Sequence, residues 1–156
     1  LLDEEHAAFI QGCVSIVAAS RDASNAPRLA RALGCRVSAD RRHVTLLLPT
    51  LQAGALIAAI RATGAVAAAF NQPSTHRAIQ VKGAAATIGP ADPGDARLAA
   101  RYVDAFVADI ALLGYSDALG RALLWHEPAE LVAVAFTPGA VFTQTPGPRA
   151  GEPLRR

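Results

Sequence analysis

Short apolar runs alternate with longer stretches of helical period, and turn residues separate them. CVSIVAAS (13–20) is a run of small and β-branched residues followed by RDASNAP, and reads as a strand ending in a turn. RLARALGCRVS (28–38) alternates and predicts a second strand. ADRRH is a polar turn, and VTLLLP (44–49) is a third strand stopped by Pro49. Connections this short make the three strands antiparallel. Thr50 is then expected to cap a helix over 51–62 that Gly64 ends.

AVAAAFNQ (65–72) predicts a buried strand of small side chains, and HRAIQVKGAAATIG (76–89) a long one. The clearest helix lies in ADPGDARLAARYVDAFVADIALLG. Asp92 is its N-cap, Pro93 suits the first turn and Asp95 can close a capping box. Leu98, Val103, Phe106, Val107, Ile110 and Leu113 form its apolar stripe, which leaves Asp104 and Asp109 to solvent. SDALGRALLW is a shorter helix stopped near Pro128, and ELVAVAFTP (130–138) and AVFTQT (140–145) are the last strands. At the other end Asp3 caps a helix over 4–11, and Gly12 ends it. Residues 145–156 read as an extended tail. With no repeat and no linker, 1–156 is one domain. About six antiparallel strands with three or four helices give an α+β barrel or sandwich.

Composition narrows the classes. The chain has 156 residues, 52% hydrophobic and 18% charged, which suits one globular domain. A net charge of +2 and 5% aromatics do not suggest a nucleic-acid surface. No apolar run is long enough for a membrane helix. The opening LLDEEHAAFIQG is acidic, lacks a basic leader and is not read as a signal peptide; with no Met at its start, further residues are expected before it. Cys13 and Cys35 form no CxxC pair and read as small core hydrophobes, so a reduced, cytoplasmic protein is expected.

Two places carry unusual chemistry. On a regularly alternating second strand, Arg31 shares a face with Leu29, Leu33, Cys35 and Val37. A guanidinium on an apolar face needs an anion, and its planar fork suits phosphate. The alternatives are a side chain that snorkels to the rim, or a bulge at Gly34 that shifts the register. The second place is FNQPSTHRAIQVKG (70–83), with seven hydrogen-bonding side-chain types in an alanine-rich chain and the only lysine, Lys82. Alternation puts His76, Ala78, Gln80, Lys82 and Ala84 on one face, where the small alanines leave room for a flat ligand. QPST before it offers hydroxyls and amides to a phosphate. The bland reading is a solvated outer strand face. His6, His43, His76 and His126 have no metal-like spacing. There is no GxSxG, GxGxxG or P-loop signature either.

The order of these pieces, with AASRDASNAP, the Arg-bearing strand, GAVAAAFNQPSTHRAIQVKG and VFTQTPGPRAG, resembles the pyridoxamine 5'-phosphate oxidase-like flavoproteins. The likeness covers nearly the whole chain, and QPSTHRAIQVKG and QTPGPRAG look like a branch of oxidases related to that enzyme. It implies a split antiparallel β-barrel that forms a homodimer, with FMN at the subunit interface. Arg31 matches the family's strand-two arginine, one residue offset after Pro27. The stretch from Ser74 to Lys82 matches the region lining flavin and phosphate. The expected cofactor contacts are Arg31, Ser74, Thr75 and Lys82 to phosphate, His76 and Gln80 to the isoalloxazine ring or ribityl chain, and Arg77 from the same stretch. Gln144 and Thr145 would reach a flavin from the partner subunit. Departures are visible: PTLQAGAL, after the third strand, lacks the family's basic pair, and its substrate-binding Arg and His have no clear match.

The implied function is an FMN-binding flavoprotein and flavin-dependent oxidoreductase of unknown small-molecule substrate, with no assigned catalytic residue and no metal. The alternative is a binding module holding flavin, F420 or haem without turnover, with His76 or His126 as haem ligand. A third reading is an interaction protein in which Arg31 pairs with a carboxylate such as Asp104 or Glu130.

Overall fold

The computed structural model describes residues 2–154. Asp3 accepts the His6 amide at 2.7 Å and starts α1 (Glu4–Ile10), with Glu4 and Glu5 favourably placed in its first turn. β1 (Ser15–Arg21) and β2 (Pro27–Arg31) form a hairpin, followed by β3 (Cys35–Val37) and β4 (Val44–Pro49). α2 (Thr50–Thr63) leads to a second hairpin, β5 (Val66–Asn71) and β6 (Ala78–Pro90). α3 (Pro93–Ala111), α4 (Asp117–Leu123) and β7 (Leu131–Thr143) complete the chain.

The seven strands make one sheet in the order β2-β1-β5-β6-β7-β4-β3, antiparallel throughout. Its two edge strands are separated by only Ala32, Leu33 and Gly34. Ala32 donates to Ile16 O on β1 at 3.0 Å, and Leu33 donates to Leu47 O on β4 at 2.8 Å. Adjacent residues thus bond to strands near opposite edges, and the sheet must curl to bring them together. This is an α+β half-barrel with four helices. Gly34 makes the crossing with φ 151°, and a Cβ there would sit 3.3 Å from the Leu47 side chain.

The inner surface is the core. Ile16, Ala18, Ala68, Phe70, Ile79 and Val81 alternate inward from β1, β5 and β6. Every residue of β4 is buried, so this strand reads as a continuous apolar run rather than an alternating one. α2 packs on β1, β2 and β6. α3 keeps the predicted capping box: Asp95 N donates to Asp92 Oδ1 at 2.8 Å, and Asp92 N donates to Asp95 Oδ2 at 3.2 Å. Asp95 also holds Arg36 on β3 at 2.8 Å, tying the helix start to the sheet edge.

Several expectations are corrected. The second strand is two strands, because the chain changes partners at Ala32–Gly34 and alternation does not survive the bend. The last two strands are one, β7, interrupted at Pro138–Gly139 only as an irregularity in its pairing with β6. The count therefore rises to seven. Pro49, not Thr50, is the N-cap residue of α2; the Thr50 hydroxyl lies 3.5 Å from Glu130 Oε2 instead. Cys13 is exposed, and only Cys35 is a core residue. Asp109 is 5% exposed rather than solvated, because the turn before β6 folds onto it, and Leu113, the end of the predicted stripe, is exposed. No described helix is long and apolar enough to cross a membrane.

Candidate functional site

Antiparallel register puts opposed residues on the same side of a sheet. One row across the outer surface runs Arg31, Val17, Ala69, Gln80 and Phe142. The next runs Leu29, Ala19, Ala67, Lys82 and Ala140. The two rows combine a floor of small apolar side chains with polar groups at either side. Arg31 and Gln80 are three strand spacings apart, about 14 Å. Beside Lys82 a groove of 460 Å³ is bounded by Ala19, Arg21, Ala65, Ala67 and Gly83.

Arg31 points outward and is exposed, so the sequence-based face shared with Leu33 and Cys35 does not exist. The Gly34 bend reverses the relation: Leu33 and Cys35 are core, whereas Leu29 is 67% exposed beside Arg31. Arg31 Nη1 donates to Ser15 Oγ at 2.9 Å. No described carboxylate pairs with it. Asp104 is engaged by Arg121 at 2.9 Å, and Arg28, Arg36 and Arg77 have Asp22, Asp95 and Glu5 respectively. The pairing expected of an interaction protein, Arg31 with Asp104 or Glu130, is therefore not formed. Lys82 also has no described carboxylate; its ammonium lies 5.0 Å from the centre of the Phe142 ring. Among the described residues Arg31 and Lys82 are thus two cations without internal counter-ions, on one exposed apolar face.

The other predicted residues, Gln144 apart, sit at the turn between β5 and β6. Ser74 directs both its amide (3.0 Å) and its hydroxyl (2.6 Å) to Asp109. Thr75 Oγ1 donates to Gln72 Oε1 at 3.1 Å and lies 3.3 Å from the Arg77 amide that donates to it. His76 is an exposed turn residue with φ 59°, not a strand residue, so it does not share the Gln80 and Lys82 face. Arg77 donates to Glu5 at 2.6 Å and covers the Phe9 ring at 4.4 Å, which fastens the turn to α1. Gln144 follows β7 and donates its amide to Ala78 O at 2.8 Å, with Thr145 Oγ1 accepting the Ala78 amide at 3.0 Å. The structure therefore places Arg31, Gln80 and Lys82 on one face, with Arg31 three strands away from the other two. It gives Ser74, Thr75 and Arg77 internal partners.

Sequence reasoning placed Leu29 beside Arg31 but missed Ser15 and Phe142 on this surface. Their signal is register across strands distant in sequence, which no local pattern carries. Among the described residues no group of three or more His, Cys, Asp or Glu is placed to hold a metal.

No protein-family model and no curated protein matches this chain. Solved structures do. HupZ from Group A Streptococcus is 16% identical with a TM-score of 0.58, over 97% of this chain and 100% of that one. An F420 reductase is 18% identical with a TM-score of 0.58, over 90% and 98%. A candidate pyridoxamine 5'-phosphate oxidase from Lactobacillus delbrueckii is 18% identical with a TM-score of 0.54, over 90% and 93%. At these identities the likeness concerns the fold, and it extends along nearly the whole of each chain. The curled antiparallel sheet described above has the fold of the pyridoxamine 5'-phosphate oxidase-like proteins.

Proposed function

We propose that the chain binds FMN on the outer face of β2, β1, β5 and β6, in a homodimer, and serves as a flavin-dependent oxidoreductase. The observation that carries this reading is the pairing of unneutralised Arg31 and Lys82 across an alanine floor. An anionic end and a flat apolar ring system need those two properties together. The groove beside Lys82 falls within the range of ligand pockets, about 300–1,000 Å³. The residues present therefore fit the group.

In this reading Arg31 grips phosphate, its geometry held by the Ser15 hydroxyl. Gln80 offers an amide to the ring edge or the ribityl chain, and Lys82 supplies positive charge in the groove. Ala67 and Ala69 keep the floor flat. Bound flavin would supply the redox chemistry, and the protein would supply position and field. A second copy of the chain would cover Leu29 and exclude water from the face; the Gln144 segment is the contribution expected from it.

The likeness to an F420 reductase supports a second reading, in which the same cations hold the phosphate of F420. Titration of FMN and F420 against the purified protein, followed by flavin fluorescence quenching and light scattering, tests both. Saturable FMN quenching by a dimer, weakened in Arg31→Ala, is the expected result. Preference for F420 moves the cofactor assignment, and indifference to both removes it.

A further inference from the structure

A second cavity, of 260 Å³, lies between the end of α1, the middle of α3 and the bend joining β2 to β3. Ile10, Gly34, Cys35, Leu98 and Ala105 make most of its wall apolar, and no Asp or Glu among the described residues lines it. Arg101 and Tyr102, adjacent on α3, are also among its lining residues.

Tyr102 is 6% exposed, and its oxygen accepts the Ile16 amide at 3.2 Å. That amide lies where β2 leaves β1, so the phenol stands in for a missing strand carbonyl. A phenol that accepts through oxygen still has a proton to donate. No described group accepts it. Burial pushes the Tyr102 hydroxyl well above its ordinary range, so the proton is present at neutral pH. Arg101 is exposed and has no described carboxylate partner. Gln11, also in the wall, has both ends engaged, donating to Ala7 O at 3.0 Å and accepting from Val37 N at 2.9 Å.

We infer that this cavity is a binding site for a small carboxylate with an apolar body, the carboxylate accepting from the Tyr102 hydroxyl and the Arg101 guanidinium. Its volume, just under the range of about 300–1,000 Å³ for drug-sized ligands, limits the occupant to a compact ring or short chain. A phenol O–H and a guanidinium together favour a charged acceptor over a neutral one. The cavity shares no lining residue with the groove beside Lys82.

Cys13 provides the readout, because its exposed thiol lines the same cavity. The test measures the rate of Cys13 alkylation by iodoacetamide in the full chain, with benzoate or benzyl alcohol added. Saturable protection by benzoate, at concentrations about tenfold lower than benzyl alcohol requires, is expected. Arg101→Gln, at an exposed position, should abolish benzoate's advantage and leave the alcohol unchanged. Tyr102→Phe should weaken benzoate as well, with circular dichroism confirming that the variant is folded. Equal protection by acid and alcohol would overturn the anion site. No saturable protection by either would mean that the cavity holds water only.

Discussion

Ser74 Oγ donates to Asp109 Oδ1 at 2.6 Å, joining a turn between two strands to the last turns of α3. The same carboxylate accepts the Ser74 amide at 3.0 Å and the Gln72 side chain at 3.3 Å. A buried charge is tolerable when its lone pairs are met in this way. Asp109 thus fixes the turn that aligns β5 with β6, and through that register it places Gln80 opposite Ala69.

Asp109→Ala should leave the Ser74 amide without its partner and cost about 2–4 kcal/mol of stability. Ser74→Ala, which keeps the amide contact, should cost about 1 kcal/mol. Urea melts of the two variants check the order. Equal and small losses would show that the carboxylate does not anchor the turn.

Arg31→Ala should lower FMN affinity about 10- to 100-fold, the equivalent of about 1.5–3 kcal/mol for a hydrogen bond to a charged group. Its thermal midpoint without ligand should change little, because Arg31 is exposed and loses only a hydrogen bond to Ser15. Isothermal titration alongside a thermal melt separates the effects. A large fall in midpoint with unchanged affinity would make Arg31 a structural residue.

Gly83→Ala should be destabilising by about 1–3 kcal/mol. A Cβ there would lie 2.4 Å from Phe136 Cδ2 and 2.7 Å from Thr137 O, where β6 and β7 meet at an irregularity. The backbone oxygen cannot rotate away as a side chain could. A thermal melt as stable as the parent's would show that β7 shifts freely at this point.

Acid should loosen the β1–β2 hairpin late. Hydrogen bonds from the Ser24 hydroxyl and the Ala26 amide, with Arg28, bring the Asp22 carboxyl from 3.8 down to about 2. A carboxyl lowered in the folded state adds stability above its unfolded value, and that contribution disappears as pH falls through the folded one. The hairpin should therefore stay intact at pH 4 and lose order on approach to about pH 2. Carbon-13 titration of Asp22 by NMR reads this directly, and a midpoint near 3.8 would contradict it.

Local physics was legible in the sequence. Asp3, Asp92 with Asp95, and Gly64 marked helix ends because capping involves residues no more than a few positions apart. The 44–49 strand followed from a short apolar run stopped by Pro49, and the shared face of Ile79 and Val81 from period alone. Gln80 and Lys82 could likewise be placed on one face, since they lie two apart on one strand.

What the tertiary structure decided was every relation between distant segments. The apolar alternation from Leu29 to Val37 looked continuous, yet the chain leaves β1 for β4 at Ala32–Leu33, and the apparent face of Arg31 is lost there. Asp109 looked solvated because nothing near it in sequence marks the serine 35 positions earlier that comes to meet it. That Arg31 and Lys82 share one face depends on three successive strand registers. Register is fixed by which side chains the closed core will accept, and only the folded sheet makes that choice.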